Sequence, residues 1–264
     1  MLIDFHAHTF PSKIAPKALG NLGDVIGGKT PEYDGTIEGL LKYMDECGVD
    51  KSVVLGIAST PNQQKSVNDY AKSIESNRII PFGSVHPFAD DALEEIDRIC
   101  EMGLKGVKFH PDYQKFYVDD EKAFPVYKKL GEKGLVVSFH AGIDPGLYPP
   151  VGFTPEGFKK ALHHLEGAKV VAAHFGGHLM YDDVLKYLCG EDLYFDTAYA
   201  FGIIPTKIAH EIVERQGADR ILFGTDGPWS SPINEKQLMY HIGISDEERE
   251  LIFHKNAEKL LDLK

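Results

Sequence analysis

Eight short runs rich in β-branched and apolar residues recur along the chain, near 2–7, 52–57, 79–85, 105–110, 135–140, 169–174, 193–197 and 220–225. Longer amphipathic stretches separate them. Strands that alternate with helices pair in parallel, because the chain must cross over a helix to return to the same edge of the sheet. Eight such strands are the number that closes a (β/α)8 TIM barrel. The spacing between them is mostly about 25–30 residues, the length of one βα unit. Helices are predicted over 37–46, ending at Gly48; over 91–99, with a stop at Gly103; over 124–130, stopping near Gly131; and over 155–165, up to Gly167. The first interval is longer, and its Gly/Pro-punctuated segment 11–31 reads as a loop over the barrel mouth. With no linker, low-complexity tract or further repeat, residues 1–264 read as one domain. An open doubly wound sheet is the rival fold, but it places ligands beside only two or three strand ends.

More than three strand ends carry candidate ligands. The first run holds His6-Ala7-His8, and the fourth, fifth and sixth close on His110, His140 and His174. The eighth leads through Gly224-Thr225 to Asp226. Alternate residues of a strand share a face, so His6 and His8 are expected to point together into the lumen near its C-terminal rim. Several imidazoles and one carboxylate meeting there are what a divalent metal needs. Small residues follow His140 and His174, leaving room for a ligand. Pro228 and Trp229 read as a rigid rim with an aromatic wall. Lys108 shares a face with His110 deeper in the lumen. His178 is a candidate for the pocket wall, His86 for the mouth, and Asp4 for orienting a ligand imidazole or for a structural role. His163, His164, His210, His241 and His254 fall in helical or C-terminal segments and read as surface residues, and 246–250 as a solvated helix start.

The formal charge of -12 argues against a nucleic-acid partner, whose phosphates call for a basic surface. No apolar stretch reaches the roughly 18 residues of a membrane span, so no membrane partner is expected. The N-terminus runs directly into a strand and is not read as a removable signal peptide. Cys47, Cys100 and Cys189 are few, odd in number and far apart, which reads as reduced thiols and a cytoplasmic protein. The expected partner is a small-molecule substrate, with a homo-oligomer left open.

His6-Ala7-His8, His140, His174 and Asp226 in this order of strands resemble the amidohydrolase superfamily. Gly106-Val107-Lys108-Phe109-His110-Pro111 and Gly224-Thr225-Asp226-Gly227-Pro228-Trp229 look like its amidohydrolase-related branch. That branch includes aminocarboxymuconate-semialdehyde decarboxylase, aromatic-acid decarboxylases and lactone hydrolases. The resemblance implies one divalent ion, zinc first with manganese, iron or cobalt as alternatives, held by His6, His8, His140 and Asp226, with His174 nearby. In the binuclear branches the fourth strand supplies a bridging carboxylated lysine or a glutamate. Lys108 is the residue that would be carbamylated here, but a single ion is expected, with His110 lining the substrate or supporting the ligands.

A Lewis-acid metal lowers the pKa of a water it binds to about 7 and polarises a carbonyl oxygen. Asp226 and His174 are the expected proton carriers. Hydrolysis of a lactone, ester or amide is therefore expected first. Decarboxylation of an aromatic or unsaturated acid is second, because a carboxylate favours a guanidinium clamp. Arg78, Arg98, Arg215, Arg220 and Arg249 read as lying on helices or before strands, away from the mouth. A catalytically idle metal-binding scaffold is the third reading.

Overall fold

The computed structural model describes residues 1–25, 28–147 and 149–263 and, of residues 22–25, the backbone alone. The expected strands all form: β1 Ile3–Ala7, β2 Lys51–Leu55, β3 Ile79–Phe82, β4 Gly106–Phe109, β5 Val136–Phe139, β6 Lys169–Ala172, β7 Tyr194–Asp196 and β8 Ile221–Leu222. They pair in parallel in chain order, β1 to β3 in one ladder and β4 to β8 in another. Two seams join the ladders. Gly83 pairs with Val107, the amide of Gly83 donating to Gly106 and that of Lys108 to Gly83, both at 2.8 Å. Beyond β8 the chain continues along β1: Phe5 N–H donates to Phe223, Asp226 N–H to His6 and His8 N–H to Gly227, at 2.7, 2.8 and 2.7 Å. The sheet is thus closed into a barrel.

Helices return the chain between strands. They are α1 Ala15–Val25 and α2 Ile37–Cys47 before β2, α3 Gln64–Ser73 before β3, and α4 Ala92–Glu101 before β4. A one-turn α5 Pro111–Gln114 and α6 Phe124–Glu132 precede β5, α7 Pro155–Ala161 precedes β6, α8 Tyr181–Tyr187 precedes β7, and α9 Thr206–Gln216 precedes β8. The chain ends with α10 Pro232–His241, α11 Asp246–Glu250 and α12 Asn256–Leu260. Among the described residues no helix is long and apolar enough to cross a membrane.

One expectation needs correction. The segment 11–31 is not all loop, since α1 occupies much of it; residues 26 and 27 lie outside those described. α6 does end near Gly131, at Glu132, and the left-handed turn follows at Gly134 (φ 64°). Gly131 is there for a close approach: a Cβ on it would stand 2.1 Å from the Glu166 carbonyl oxygen. Gly48 does stop α2, at φ 69°.

Ile3, Phe5, Val53, Phe82, Val136, Val171 and Leu222 form one apolar cluster with Ala257, Leu260 and Leu261 around α12. Lys105 and Lys169, where β4 and β6 begin, donate to the carbonyls of Leu261 (2.7 Å) and Leu260 (3.0 Å). α12 therefore plugs the N-terminal end of the barrel, and the cavity lies at the C-terminal end. In β1 the pairing register shifts between Asp4 and Ala7. Such a bulge re-aims side chains, so Phe5 joins the apolar cluster while His6 and His8 serve the open end.

Candidate metal centre

A cavity of about 560 Å3 opens at that end. His6, His8, His140, His174 and Asp226 line it, as do Lys108, His110, His178 and Trp229. His86 does not. It is buried in the turn after β3, where its Nδ1 accepts the amide of Phe88 at 3.3 Å. Its role at the mouth is therefore withdrawn: the turn folds its ring back onto its own backbone.

The hydrogen-bond partners dictate where each imidazole keeps its proton. Nδ1 of His8 lies 2.7 Å from the Leu55 carbonyl, and Nδ1 of His174 lies 2.9 Å from that of Ala198. Carbonyls only accept, so both rings are protonated on Nδ1. Nδ1 of His6 faces Oδ2 of Asp196 at 2.9 Å, which places its proton there too. His174 then accepts through Nε2 from Nδ1 of His140 at 3.1 Å. The Nε2 of His140 is left with a lone pair, and that atom is buried without a partner.

These assignments turn Nε2 of His6 and of His8 toward Oδ1 of Asp226, at 3.3 and 3.1 Å. The three acceptor atoms lie within 4.8 Å of one another. Lys108 Nζ, 3.4 Å from His6 Nε2, offers the neighbouring hydrogen. Converging lone pairs are costly unless a proton or a cation sits among them. Two imidazole nitrogens and a carboxylate oxygen are also the three protein ligands of an open catalytic site. The residues fit a divalent ion. His140 stands outside that group of three: it is bonded to His174, whose ring lies 5.1 Å from that of His6, and stacks on His110, with ring centroids 4.0 Å apart and planes 8° apart.

Electrostatics favour the same reading. Burial, reinforced by Lys108, holds His6 well below its ordinary pKa, and burial with neighbouring imidazoles does the same to His140. Burial also lowers His174, His178 and His110. Burial opposes ionisation of Asp226, yet a hydrogen bond from His8 and the charges of His6, His8 and His174 hold its carboxyl well below the usual range. A proton on His8 Nε2 makes that bond, so proton and ion compete for one lone pair. Burial brings Lys108 down to about 8 against the pull of Asp196 and Asp226.

The backbone carries strain here. His174, Tyr199 and Asp226 have φ of 59°, 55° and 66°, the left-handed region that non-glycine residues rarely enter, and all three line the cavity. Gly142 (φ 85°) lets two loops touch: a Cβ on it would lie 2.2 Å from the His178 amide, which donates to Ala141 at 2.8 Å.

Two carboxylates were not anticipated. Asp196 orients His6 and accepts the amides of His174 (2.9 Å) and Ala198 (3.1 Å) through Oδ1. Burial raises its pKa, opposed by His174 and Lys108. It closes β7, within the run 193–197, as Asp226 follows the eighth run, and that shared pattern was the signal available. Asp144 sits 3.2 Å from Nε2 of His110 and lines the cavity, but in Gly142-Ile143-Asp144-Pro145 it looks like any turn residue. Asp4 takes the structural role, accepting from the amides of His6 and Thr225 and, at 2.6 Å, from the Thr225 hydroxyl.

The profile of the amidohydrolase family matches residues 3–263. A 5-carboxyvanillate decarboxylase from Sphingomonas paucimobilis is similar in structure (TM-score 0.73, 16% identity, covering 100% of this chain and 99% of that one). So is a dihydroxybenzoic acid decarboxylase from a Polaromonas species, which has bound manganese and an inhibitor, 2-nitroresorcinol (TM-score 0.70, 16%, covering 99% and 97%). A putative amidohydrolase from Staphylococcus aureus matches at TM-score 0.69 and 17% identity over 99% of both chains. No curated protein matches in sequence.

Proposed function

The chain belongs to the amidohydrolase family, and from that premise we propose that it is a metal-dependent lyase that removes the carboxyl group of a small aromatic or unsaturated acid. This reverses the order expected from the sequence, in which hydrolysis came first because a metal-activated water serves it directly and no arginine was placed at the mouth. None of the five arginines lines the cavity. Arg78 is bonded to Asp45, Arg98 to Asp69 and Arg220 to Asp192 instead. The observation that carries the new order is Lys108: a buried cation in the cavity wall beside His6, able to meet a carboxylate as a point charge. Two structural neighbours named for decarboxylation of aromatic acids support the same order.

His6, His8 and Asp226 would hold the ion, with His140 bonded to His174 beside them. A divalent ion there supplies Lewis-acid polarisation of a substrate oxygen; zinc and manganese both suit imidazole and carboxylate. Asp196 keeps the His6 lone pair aimed, as the Leu55 carbonyl does for His8. When the bond to the carboxyl carbon breaks, its electron pair stays on the ring or vinyl carbon, carbon dioxide leaves and that carbon takes a proton. His174 and Asp226 lie in the cavity wall and are the groups proposed to relay that proton from solvent.

The test is a panel of hydroxybenzoates and unsaturated acids, assayed for carbon dioxide beside lactones, esters and amides. Release from at least one acid is expected. Lys108→Met should raise KM for that acid about 10–100-fold, the effect of losing about 1.5–3 kcal/mol in a hydrogen bond to a charged group. Hydrolysis of a lactone, ester or amide with no carbon dioxide from any acid would restore the original order.

A further inference from the structure

The cavity has two unlike ends. One holds the imidazoles, Lys108 and Asp226. The other lies between α1, the end of β2 and α3, where Phe10, Ile14, Ala18, Ile57, Val67 and Tyr70 form the wall. None of these six carries a charge. Phe10, Ala18, Ile57 and Val67 are only half-buried, and Ile14 keeps 51% of its surface exposed. The same residue types in the barrel core are sealed, Ile3 and Val53 at 0%. Apolar surface left wet in a concavity is an unmade hydrophobic contact.

The walls of this end are held in place. Tyr70 Oη donates to Thr9 Oγ1 at 3.0 Å, joining α3 to the segment after β1. At Gly56, a Cβ would come 2.9 Å from Val67 Cγ1, so α3 closes directly on the end of β2. Gln63 and Ser66, both exposed, mark where the space opens to solvent. A volume of about 560 Å3 falls in the range of about 300–1,000 Å3 that takes drug-sized ligands, more than one ring with its carboxyl group fills.

We propose that this apolar arm is the specificity site of the enzyme and takes a hydrocarbon substituent carried by the substrate beyond its reacting head. The inference rests on the carboxylic-acid reading for what the head is, while the arm itself stands on Phe10, Ile14, Ala18, Ile57 and Val67. Val67 on α3 and Ala18 on α1, both in its lining, set how long the substituent can be.

Calorimetric binding to the holoenzyme tests it, with benzoate and its 4-ethyl, 4-butyl and 4-hexyl derivatives in parallel with the uncharged 4-alkylphenols. Affinity should rise about fourfold per methylene, the equivalent of about 0.8 kcal/mol for each buried CH2. Val67→Trp and Ala18→Trp, each filling the arm from one side, should flatten that slope; two variants guard against one that fails to fold. A slope seen with phenols but absent from acids supports the arm and removes the carboxylic-acid reading. Carbon dioxide release from acids whose binding ignores chain length overturns the arm and leaves that reading standing. A slope unchanged in both filled variants also overturns it, as does failure of every ligand to bind.

Discussion

Replacing Asp196 by asparagine should cost the protein its metal through a proton moved on a neighbouring ring. Asp196 Oδ1 accepts two amides, from His174 and Ala198, at 2.9 and 3.1 Å. An asparagine must keep its single carbonyl oxygen on those donors, because turning it would set its NH2 against two N–H groups. The NH2 then stands where Oδ2 was, 2.9 Å from Nδ1 of His6, donor against donor. His6 relieves the clash by carrying its proton on Nε2 instead, and the lone pair aimed at Asp226 is gone. Loss of such an outer partner costs about 10–100-fold in metal affinity, or about 1.4–2.7 kcal/mol. The assay is competition with a fluorescent chelator, titrating zinc and manganese into chelator-stripped protein, with Tm recorded to verify folding. Asp4→Asn is the control. Asp4 is just as buried, but its Oδ2 partner is the Thr225 hydroxyl, which can turn from donor to acceptor. Its metal affinity should not change. An Asp196→Asn protein that binds metal like the wild type, or an Asp4→Asn protein that loses as much, refutes the tautomer argument.

Two further outcomes follow from the same geometry. The double variant His6→Ala with His8→Ala should be isolated without bound ion, whereas the wild type carries about one per chain by elemental analysis; two ions per chain with a carbamate on Lys108 would place it in a binuclear branch. Glu235 is fully buried on α10, accepting the amides of Ala200 and Phe201, with Ser230 Oγ 2.6 Å from its Oε1. Burial raises its pKa from 4.5 to about 8, opposed chiefly by the Ser230 bond. Because the folded value lies above the unfolded one, its contribution to stability is complete below about pH 4.5 and is lost as pH rises to about 8. Glu235→Gln keeps every hydrogen bond and cannot ionise, so denaturant titrations should show the wild type losing stability relative to the variant across that window. Parallel pH profiles would show that Glu235 ionises as freely in the fold as in the unfolded chain.

Much of the site was legible because it sits at places the pattern marks. Strand ends are visible as the last residues of apolar runs, and His6, His8, His140, His174 and Asp226 all stand at such ends. Asp196 does too, but the run before it is short and an aspartate there also suits a turn. His86 shows the limit of the same rule: it ends an apolar run, yet the turn at Pro87 folds its ring against the Phe88 amide instead of the cavity. The order of hydrolysis and decarboxylation rested on a metal-activated water and on arginines placed away from the mouth; Lys108 was read as facing the lumen, but its 3.4 Å approach to His6 Nε2 is a tertiary contact.

What the sequence by itself determined is the set of elements and the chemistry they carry. Periodicity dictates eight strands and intervening helices, and residue type dictates which strand ends can ligate a metal. Only the tertiary structure decided closure, through backbone hydrogen bonds that join Phe5, His8 and Asp226 to a partner more than two hundred residues away. It also decided the proton positions of the imidazoles, which depend on the carbonyls of Leu55 and Ala198 and on Asp196. The reason is physical: periodicity is a local property of the backbone, whereas a lone pair's direction and a lysine's charge depend on atoms that folding alone brings near.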